Sequence, residues 1–316
     1  MNNPVVSSLL PVVLLIAIGF IACRVGWIRA AASKDLSNLV FMVLTPALLF
    51  RTMSTVHVEQ LNFKPVAMYF VAALLLFTSL LLQQGVSRRS AVLALTVSFS
   101  NTVMIGIPLI GLAYGKAGLV TLFTLISVHS LILLTLTTVV LETVTAHEGR
   151  RDGQGGRHHM LLTVLAAVKS GIFHPVPFPI ILGLLFAQTG LSLPAVVDQP
   201  LHLLGNAFGP IALLLVGVTL TQVQIGPHLK SALALSMLKN LVLPALVTAL
   251  GWAMGITGLP LTVMIITASL PVGANVFLFA QRYEVAQDLV TASMAVSTVL
   301  ALVTITLVMS LVGWMT

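Results

Sequence analysis

Long apolar segments are the feature that most limits how this chain can fold. A helix needs about 20 apolar residues to cross a bilayer, and ten segments of the sequence meet or approach that length. They are residues 5–23, 36–54, 65–83, 90–116, 118–142, 173–190, 203–222, 231–252, 259–283 and 287–313. Only 7% of the residues are charged, against about 25% in soluble domains. The sequence therefore predicts an all-α integral membrane protein with ten transmembrane helices.

The fourth and ninth segments carry polar and helix-breaking residues in their middle. Those of the fourth are Asn101, Thr102, Gly106 and Pro108, and those of the ninth are Pro271 and Asn275. Proline lacks a backbone donor and clashes with the preceding turn, and a bilayer tolerates freed backbone groups only where protein or a water-lined cavity satisfies them. We therefore predict that both helices break at their prolines. Interrupted helices in corresponding halves are the best sequence indication of a transporter's binding site.

The spacing of the prolines indicates an internal repeat. Pro108 and Pro271 lie 163 positions apart, and Pro46 and Pro210, in the second and seventh segments, lie 164 apart. A charged, glycine-rich segment separates the two halves. The predicted domains are a first five-helix repeat at 1–145, a linker at 146–159 and a second five-helix repeat at 160–316. Because five is an odd number, the second repeat would be inverted in the membrane relative to the first.

The distribution of basic residues predicts the orientation. Loops after odd-numbered segments carry eleven Lys and Arg residues, and loops after even-numbered segments carry three, Arg51, Lys64 and Lys116. Basic loops stay in the cytoplasm, so we predict an inner-membrane protein with a cytoplasmic linker and both termini outside. Residues 5–23 follow no basic stretch, which favours a first membrane helix over a cleaved signal. The net charge of +7 suits an anionic inner leaflet, and it forms no clustered patch for nucleic acid.

The two breaks predict a binding site for an anion. Each restarting half-helix exposes unpaired N–H groups and the positive end of its dipole. Two such ends near the bilayer midplane favour an anionic ligand, most simply a carboxylate. Asn101 and Asn275 would add neutral donors and acceptors at the same depth. The alternative is that both prolines make ordinary kinks and that the asparagines bridge helices; the recurrence in matching halves favours the site.

Two further side chains within the apolar segments are functional candidates. A lysine near the bilayer centre costs roughly 2.5–3.5 kcal/mol, so Lys239 is a candidate to complement the substrate anion or hold a gate; alternatively it snorkels or pairs with a carbonyl. His129 is either a proton relay or a neutral histidine hydrogen-bonded between helices. All eight acidic residues fall in loops or at segment ends, and Cys23 is the only cysteine. Because no catalytic or metal-binding motif occurs, we predict no enzymatic activity, no metal and no cofactor.

Two long motifs resemble a known family. The stretch N-T-V-M-I-G-I-P-L-I-G-L-A-Y-G at 101–115 resembles the fourth helix of the auxin efflux carrier (PIN-like) family. The stretch L-P-V-G-A-N-V-F-L-F-A-Q-R-Y-E-V at 270–285 resembles its ninth helix and the following turn. The resemblance covers essentially the whole chain. It implies two inverted five-helix repeats with crossed, broken helices 4 and 9, similar to bile-acid symporters and sodium/proton antiporters, and elevator-type alternating access, often in a dimer.

The resemblance also implies roles for individual residues. Asn101 matches the family's substrate-binding asparagine, and Pro108 and Pro271 match its crossover prolines. Plant members carry Asn-Pro-Asn at the start of the sixth helix, where this chain has His-Pro-Val-Pro at 174–177, and they carry charges in the third helix, which residues 65–83 lack. These departures argue against auxin itself, and the short linker, in place of the long loop of plant carriers, fits a bacterial member. Because bacterial relatives include malonate carriers, the resemblance implies a small carboxylate.

The combined prediction is a secondary transporter of a small organic anion. Its predicted substrate-binding residues are Asn101, Thr102, Gly106, Pro108, Pro271, Asn275 and Lys239. Its expected partners are a carboxylate substrate, the lipid bilayer and a second copy of the chain. The alternatives are an anion channel that uses the same converging dipoles, and a membrane sensor; the sensor is disfavoured because no segment predicts a soluble output domain.

Overall fold

The computed structural model describes residues 4–151, 165, 168–169, 175–223 and 226–315, and every regular element in these ranges is helical. The helices are α1 (Pro4–Arg24), α2 (Ser33–Leu39), α3 (Thr45–Met53), α4 (Phe63–Gln83), α5 (Arg88–Ser98), α6 (Ile107–Arg151), α7 (Pro177–Gln188), α8 (Ala195–Leu220), α9 (Leu229–Met237), α10 (Leu243–Ala253), α11 (Gly258–Ser269), α12 (Asn275–Arg282) and α13 (Gln287–Met315). This content confirms the all-α prediction for the described part of the chain.

Seven helical stretches in the described ranges are long and apolar enough to cross a bilayer. They are Ser7–Arg24, Ala30–Met53, Phe63–Gln83, Thr102–His147, Ala195–Leu220, Gly226–Ala253 and Gln287–Val312. Two further apolar helices, Pro177–Gln188 and Gly258–Ser269, are shorter. The structure is therefore that of an integral membrane protein, in agreement with the apolar sequence.

The longest of these stretches folds back on itself. Gly115 has φ 57° and ψ −149°, a conformation that glycine adopts far more readily than other residues. A Cβ atom at Gly111 would lie 3.7 Å from Leu119 Cδ1, although eight residues of straight helix span about 12 Å. The chain consequently reverses at Gly115, next to the predicted boundary between the fourth and fifth segments.

Three wide helical turns precede prolines. Turns with π-helical bonding span Val40–Leu44, Thr102–Gly106 and Leu238–Val242, and each leads into a helix with proline at its first or second position. A proline ring clashes with the carbonyl four residues earlier, and a wider turn relieves that clash. This explains why the prediction of a break at Pro108 is wrong: the helix widens before that residue and continues through it.

α6 extends into the predicted linker. α6 continues to Arg151, so the first residues of the predicted linker 146–159 are helical. Residues 152–159 lie outside the described residues. Helical continuation is reasonable for this segment, because Ala146, His147 and Glu148 precede its first glycine.

The helices form two packing groups. α1, α3, α7 and α8 pack on one another, while α4, α5, α10 and α11 pack together with α9, α12 and α13. α6 contacts helices of both groups. The two interrupted stretches, α5 to α6 and α11 to α12, therefore meet within the second group and face the first along α6.

Candidate functional site

The two interrupted stretches cross at their breaks. Ser100 and Val272 form an isolated antiparallel β-bridge. The Asn101 N–H donates to the Pro271 carbonyl at 2.9 Å, and the Gly273 N–H donates to the Phe99 carbonyl at 3.0 Å. Each break thus satisfies backbone groups that the other leaves unpaired, as a buried backbone requires.

The first break spans residues 99–101, and Phe99 and Asn101 have non-helical backbone angles. Asn101 caps the restarting helix: its Oδ1 accepts from the Met104 N–H at 3.2 Å. Asparagine is a preferred residue at this position because its side chain satisfies an orphan N–H group. The cap sets the start of the half-helix at Thr102, six residues before Pro108.

The second break runs from Leu270 to Ala274, and α12 restarts at Asn275 rather than at Pro271. The Val272 N–H donates to Ser297 Oγ on α13 at 3.1 Å. Gly273 lies directly against the first break, since a Cβ there would be 2.7 Å from Phe99 Cδ1 and 3.0 Å from the Ser100 carbonyl oxygen. Only a residue without a side chain permits this approach of the two backbones.

A small pocket of about 40 Å³ lies at the crossing. Asn101, Thr102 and Asn275 all line it, together with Ser100 and Ser130. Its polar groups are hydroxyls, amides and main chain, and none of its lining residues is ionisable. The structure thus brings three of the predicted site residues to one place that can offer donors to an anion.

The remaining predicted residues lie around this pocket or apart from it. The main chain of Pro271 takes part in the crossing, and a Cβ at Gly106 would come within 2.8 Å of Leu270 Cδ1, so Gly106 allows the half-helices to pack closely. Pro108 lines a separate, largely apolar cavity of about 320 Å³. Pro108 is thus close to the crossing in sequence but not part of its pocket.

The environment of Lys239 differs from that expected of a residue that contacts the substrate. Its side chain is fully buried, and Nζ donates to the carbonyl oxygens of Ala268 at 2.6 Å and Leu270 at 2.7 Å. These carbonyls end α11, where the helix dipole is negative and main-chain acceptors lack helical partners. Lys239 therefore caps the end of α11 by pairing with its carbonyls, which is one of the alternative roles that the sequence left open.

His129 packs beneath the first break. Its ring lies 4.5 Å from that of Phe99 and 5.9 Å from that of Tyr69. Its Nε2 atom is buried without a hydrogen-bond partner among the described residues. The neighbouring Tyr69 hydroxyl lies 2.9 Å from Ser100 Oγ, so the two aromatic residues support the break from α4 and α6.

Sequence reasoning missed several residues that hold the crossing. Tyr69 and Ser100 are ordinary residues of apolar helices by sequence, and Asn240 stands next to the more conspicuous Lys239. In the fold, Asn240 Nδ2 donates to the Ser297 carbonyl at 2.8 Å, and Ser297 Oγ holds the second break. The available signal was a buried amide in an apolar helix, which requires a partner. No group of three potential metal ligands occurs among the described residues.

Comparison with known proteins assigns the family. The chain matches the membrane transport protein family over residues 4–309. It belongs to that family, which includes the auxin efflux carriers. A protein of Rhizobium meliloti (strain 1021), named provisionally as a malonate transporter, is 24% identical over 310 residues, covering 96% of this chain and 94% of that protein. The family and these relatives are transporters rather than enzymes.

Two other relatives span the chain to a similar extent. Auxin efflux carrier component 8 of Arabidopsis thaliana is 20% identical over 348 residues, covering 95% of each protein. The uncharacterized transporter YfdV of Escherichia coli (strain K12) is 22% identical over 302 residues, covering 92% of each. The resemblance deduced from the two motifs is thus confirmed at the level of the family.

Proposed function

We propose that this membrane transport protein is a secondary active transporter of a small organic anion, whose carboxylate binds where the two interrupted helices cross. The observation that carries the proposal is the pairing of the breaks, in which Asn101 and Gly273 donate to Pro271 and Phe99. It brings the helix starts at Thr102 and Asn275 to one pocket. Both starts offer the positive ends of helix dipoles, and the lining holds no carboxylate that would repel an anion.

The names of the relatives support the substrate class. One relative is named for malonate and another for auxin, and both of these compounds are carboxylates. The pocket of about 40 Å³ has room for a few water molecules, whereas pockets for small molecules usually measure about 300–1,000 Å³. Substrate binding would therefore widen the crossing.

The arrangement of the helices supports alternating access of the elevator type. In this proposal the group containing the crossing, α4, α5 and α9–α13, moves together with α6, whose second part holds His129 against Phe99, past the group formed by α1, α3, α7 and α8. The reversal at Gly115 divides one of the seven long apolar stretches into two segments. Together with the shorter apolar helices Pro177–Gln188 and Gly258–Ser269, this favours ten spans over seven. The repeats at 1–145 and 160–316, inner-membrane localisation, a cytoplasmic linker, extracytoplasmic termini and a homodimer remain parts of this proposal.

A carrier is favoured over an anion channel by the closed packing of the crossing. Ser100 and Val272 are each 1% exposed, and the Gly273 backbone lies against the Phe99 ring. A channel needs a continuous water-filled path, which this packing interrupts. Saturable uptake with counterflow in proteoliposomes is the behaviour expected of a carrier; large unitary currents would favour the channel.

Three substitutions test the crossing as the anion site. Asn101→Asp and Asn101→Ser both retain an oxygen that can cap the helix, but only the aspartate adds a negative charge. Asn62 is the matched control, because it caps α4 at an exposed position, where it accepts from the Lys64 N–H at 3.1 Å.

We expect Asn101→Asp to abolish uptake of radiolabelled malonate, acetate or phenylacetate, whichever the wild type takes up, without loss of folded protein. Asn101→Ser should retain part of the uptake, and Asn62→Ala should retain all of it. Normal uptake by Asn101→Asp would refute the proposed site.

A further inference from the structure

A second, larger cavity lies away from the crossing pocket, between α3, α6 and α8. This polar cavity measures about 400 Å³ and is lined by Arg51, Thr55, Lys116, Asp198, His202 and Asn206, among others. It adjoins the apolar cavity of about 320 Å³ that contains Pro108, because Leu48, Gly111, Leu119 and Asn206 line both. Each has the volume typical of a small-molecule site.

The polar cavity carries an excess of positive charge. Arg51 binds Asp198 through two hydrogen bonds, Nε to Oδ1 at 2.7 Å and Nη2 to Oδ2 at 3.0 Å. This bidentate pair fixes the guanidinium and balances its charge. Lys116 Nζ donates to the neutral Thr55 hydroxyl at 2.9 Å, and the described residues give it no carboxylate partner within 4.0 Å. Its positive charge therefore remains available to a ligand.

The position of the basic residues is unusual for this chain. The loops after even-numbered apolar segments carry only Arg51, Lys64 and Lys116, and two of these three residues line the polar cavity. These two residues come from different parts of the chain: Arg51 belongs to α3, and Lys116 follows the reversal of α6 at Gly115. The fold thus brings two of the three basic residues of these loops to the polar cavity.

The neighbouring apolar cavity indicates the chemical character of the remainder of the ligand. Its walls include Leu48, Pro108, Leu119, Phe208 and Leu213, and Asn206 supplies its polar side chain. A second carboxylate placed there would lose hydration without a charged partner, which is strongly unfavourable. An uncharged apolar group would instead gain from leaving water.

We propose that these two cavities form one anion-capture site, in which Lys116 holds a carboxylate beside the Arg51–Asp198 pair and the apolar cavity holds the apolar remainder of the same molecule. The preferred ligand class is a monocarboxylate with an apolar body, ahead of a short dicarboxylate. The site rests on the proposed function in one respect, since it would collect the anion that later reaches the crossing. Its contacts are separate from Asn101, so the two sites can be tested independently.

Binding of radiolabelled phenylacetate to the purified full-length protein tests the capture site by equilibrium dialysis. Lys116→Gln should weaken binding about tenfold, because one charge-assisted hydrogen bond in a partly exposed cavity is worth on the order of one decade in affinity. Lys116→Arg should restore it. Lys64→Gln, which removes an exposed lysine from outside both cavities, should bind as the wild type does, and malonate should compete weakly.

Unchanged phenylacetate binding by Lys116→Gln, an equal loss in Lys64→Gln, or no saturable binding by the wild type would each overturn the capture site. Asn101→Asp separates this result from the proposed function. If that variant loses transport while Lys116→Gln binds normally, only the capture site fails. If Asn101→Asp transports normally while phenylacetate binding still depends on Lys116, only the proposed transport site fails.

Discussion

Replacing Gly273 by alanine should disrupt the crossing. The new Cβ would lie 2.7 and 2.9 Å from two carbons of the Phe99 ring and 3.0 Å from the Ser100 carbonyl oxygen. The ring cannot withdraw freely, because His129 packs against it at 4.5 Å, and the carbonyl belongs to the main chain. Overpacking usually costs about 1–3 kcal/mol, and these constraints favour the upper half of that range.

Thermal unfolding of the purified protein in detergent provides the assay. A loss of about 2–3 kcal/mol should lower the melting temperature on the order of 5 °C for a chain of this size. The control is Gly209→Ala in α8, whose Cβ would lie 3.7 Å from Pro108 Cβ in ordinary contact and which should gain slightly in helix propensity. Equal melting temperatures for Gly273→Ala and Gly209→Ala would refute the close approach of the two breaks.

Two further predictions concern side-chain partners. Lys239→Met should destabilise the protein by about 1–3 kcal/mol, because two buried carbonyls lose their donor; Lys230→Met, at an exposed position, should leave the melting temperature unchanged, and an equal effect of both changes would exclude the proposed capping. Tyr283→Phe removes the 2.9 Å hydrogen bond to Glu142 and should cost about 1 kcal/mol, which chemical or thermal unfolding measures; an unchanged stability would show that this bond contributes nothing.

The sequence predicted the membrane class, the family and the position of most helices, because apolar segment length is a direct consequence of bilayer thickness. It also identified both interrupted helices. It misplaced the breaks, since Pro108 is accommodated by the wide turn at Thr102–Gly106, while the asparagine cap determines where the half-helix starts. A local rule about proline was thus overridden by a neighbouring turn and a capping residue.

Other features depended on contacts between distant residues. Lys239 is conspicuous in the sequence, but its partners are carbonyls 29 and 31 residues further along, and nothing local specifies them. Arg51 and Asp198 are 147 residues apart, and only the packing of α3 on α8 brings them together. Charge counting predicted that Arg51 and Lys116 lie on the same side of the membrane but gave no reason to expect one cavity.

A disulfide between the two breaks tests the central claim most directly. Ser100 and Val272 form the bridge between them, and directly opposed residues of an antiparallel pair have Cα atoms about 4.5–5.5 Å apart, within the range of a disulfide. In a protein carrying Cys23→Ser, Ser100→Cys and Val272→Cys, mild oxidation in the membrane should form one intramolecular disulfide, seen by mass spectrometry as the loss of two hydrogens. Two thiols that stay free and reactive after oxidation would contradict the crossing on which the transport site depends.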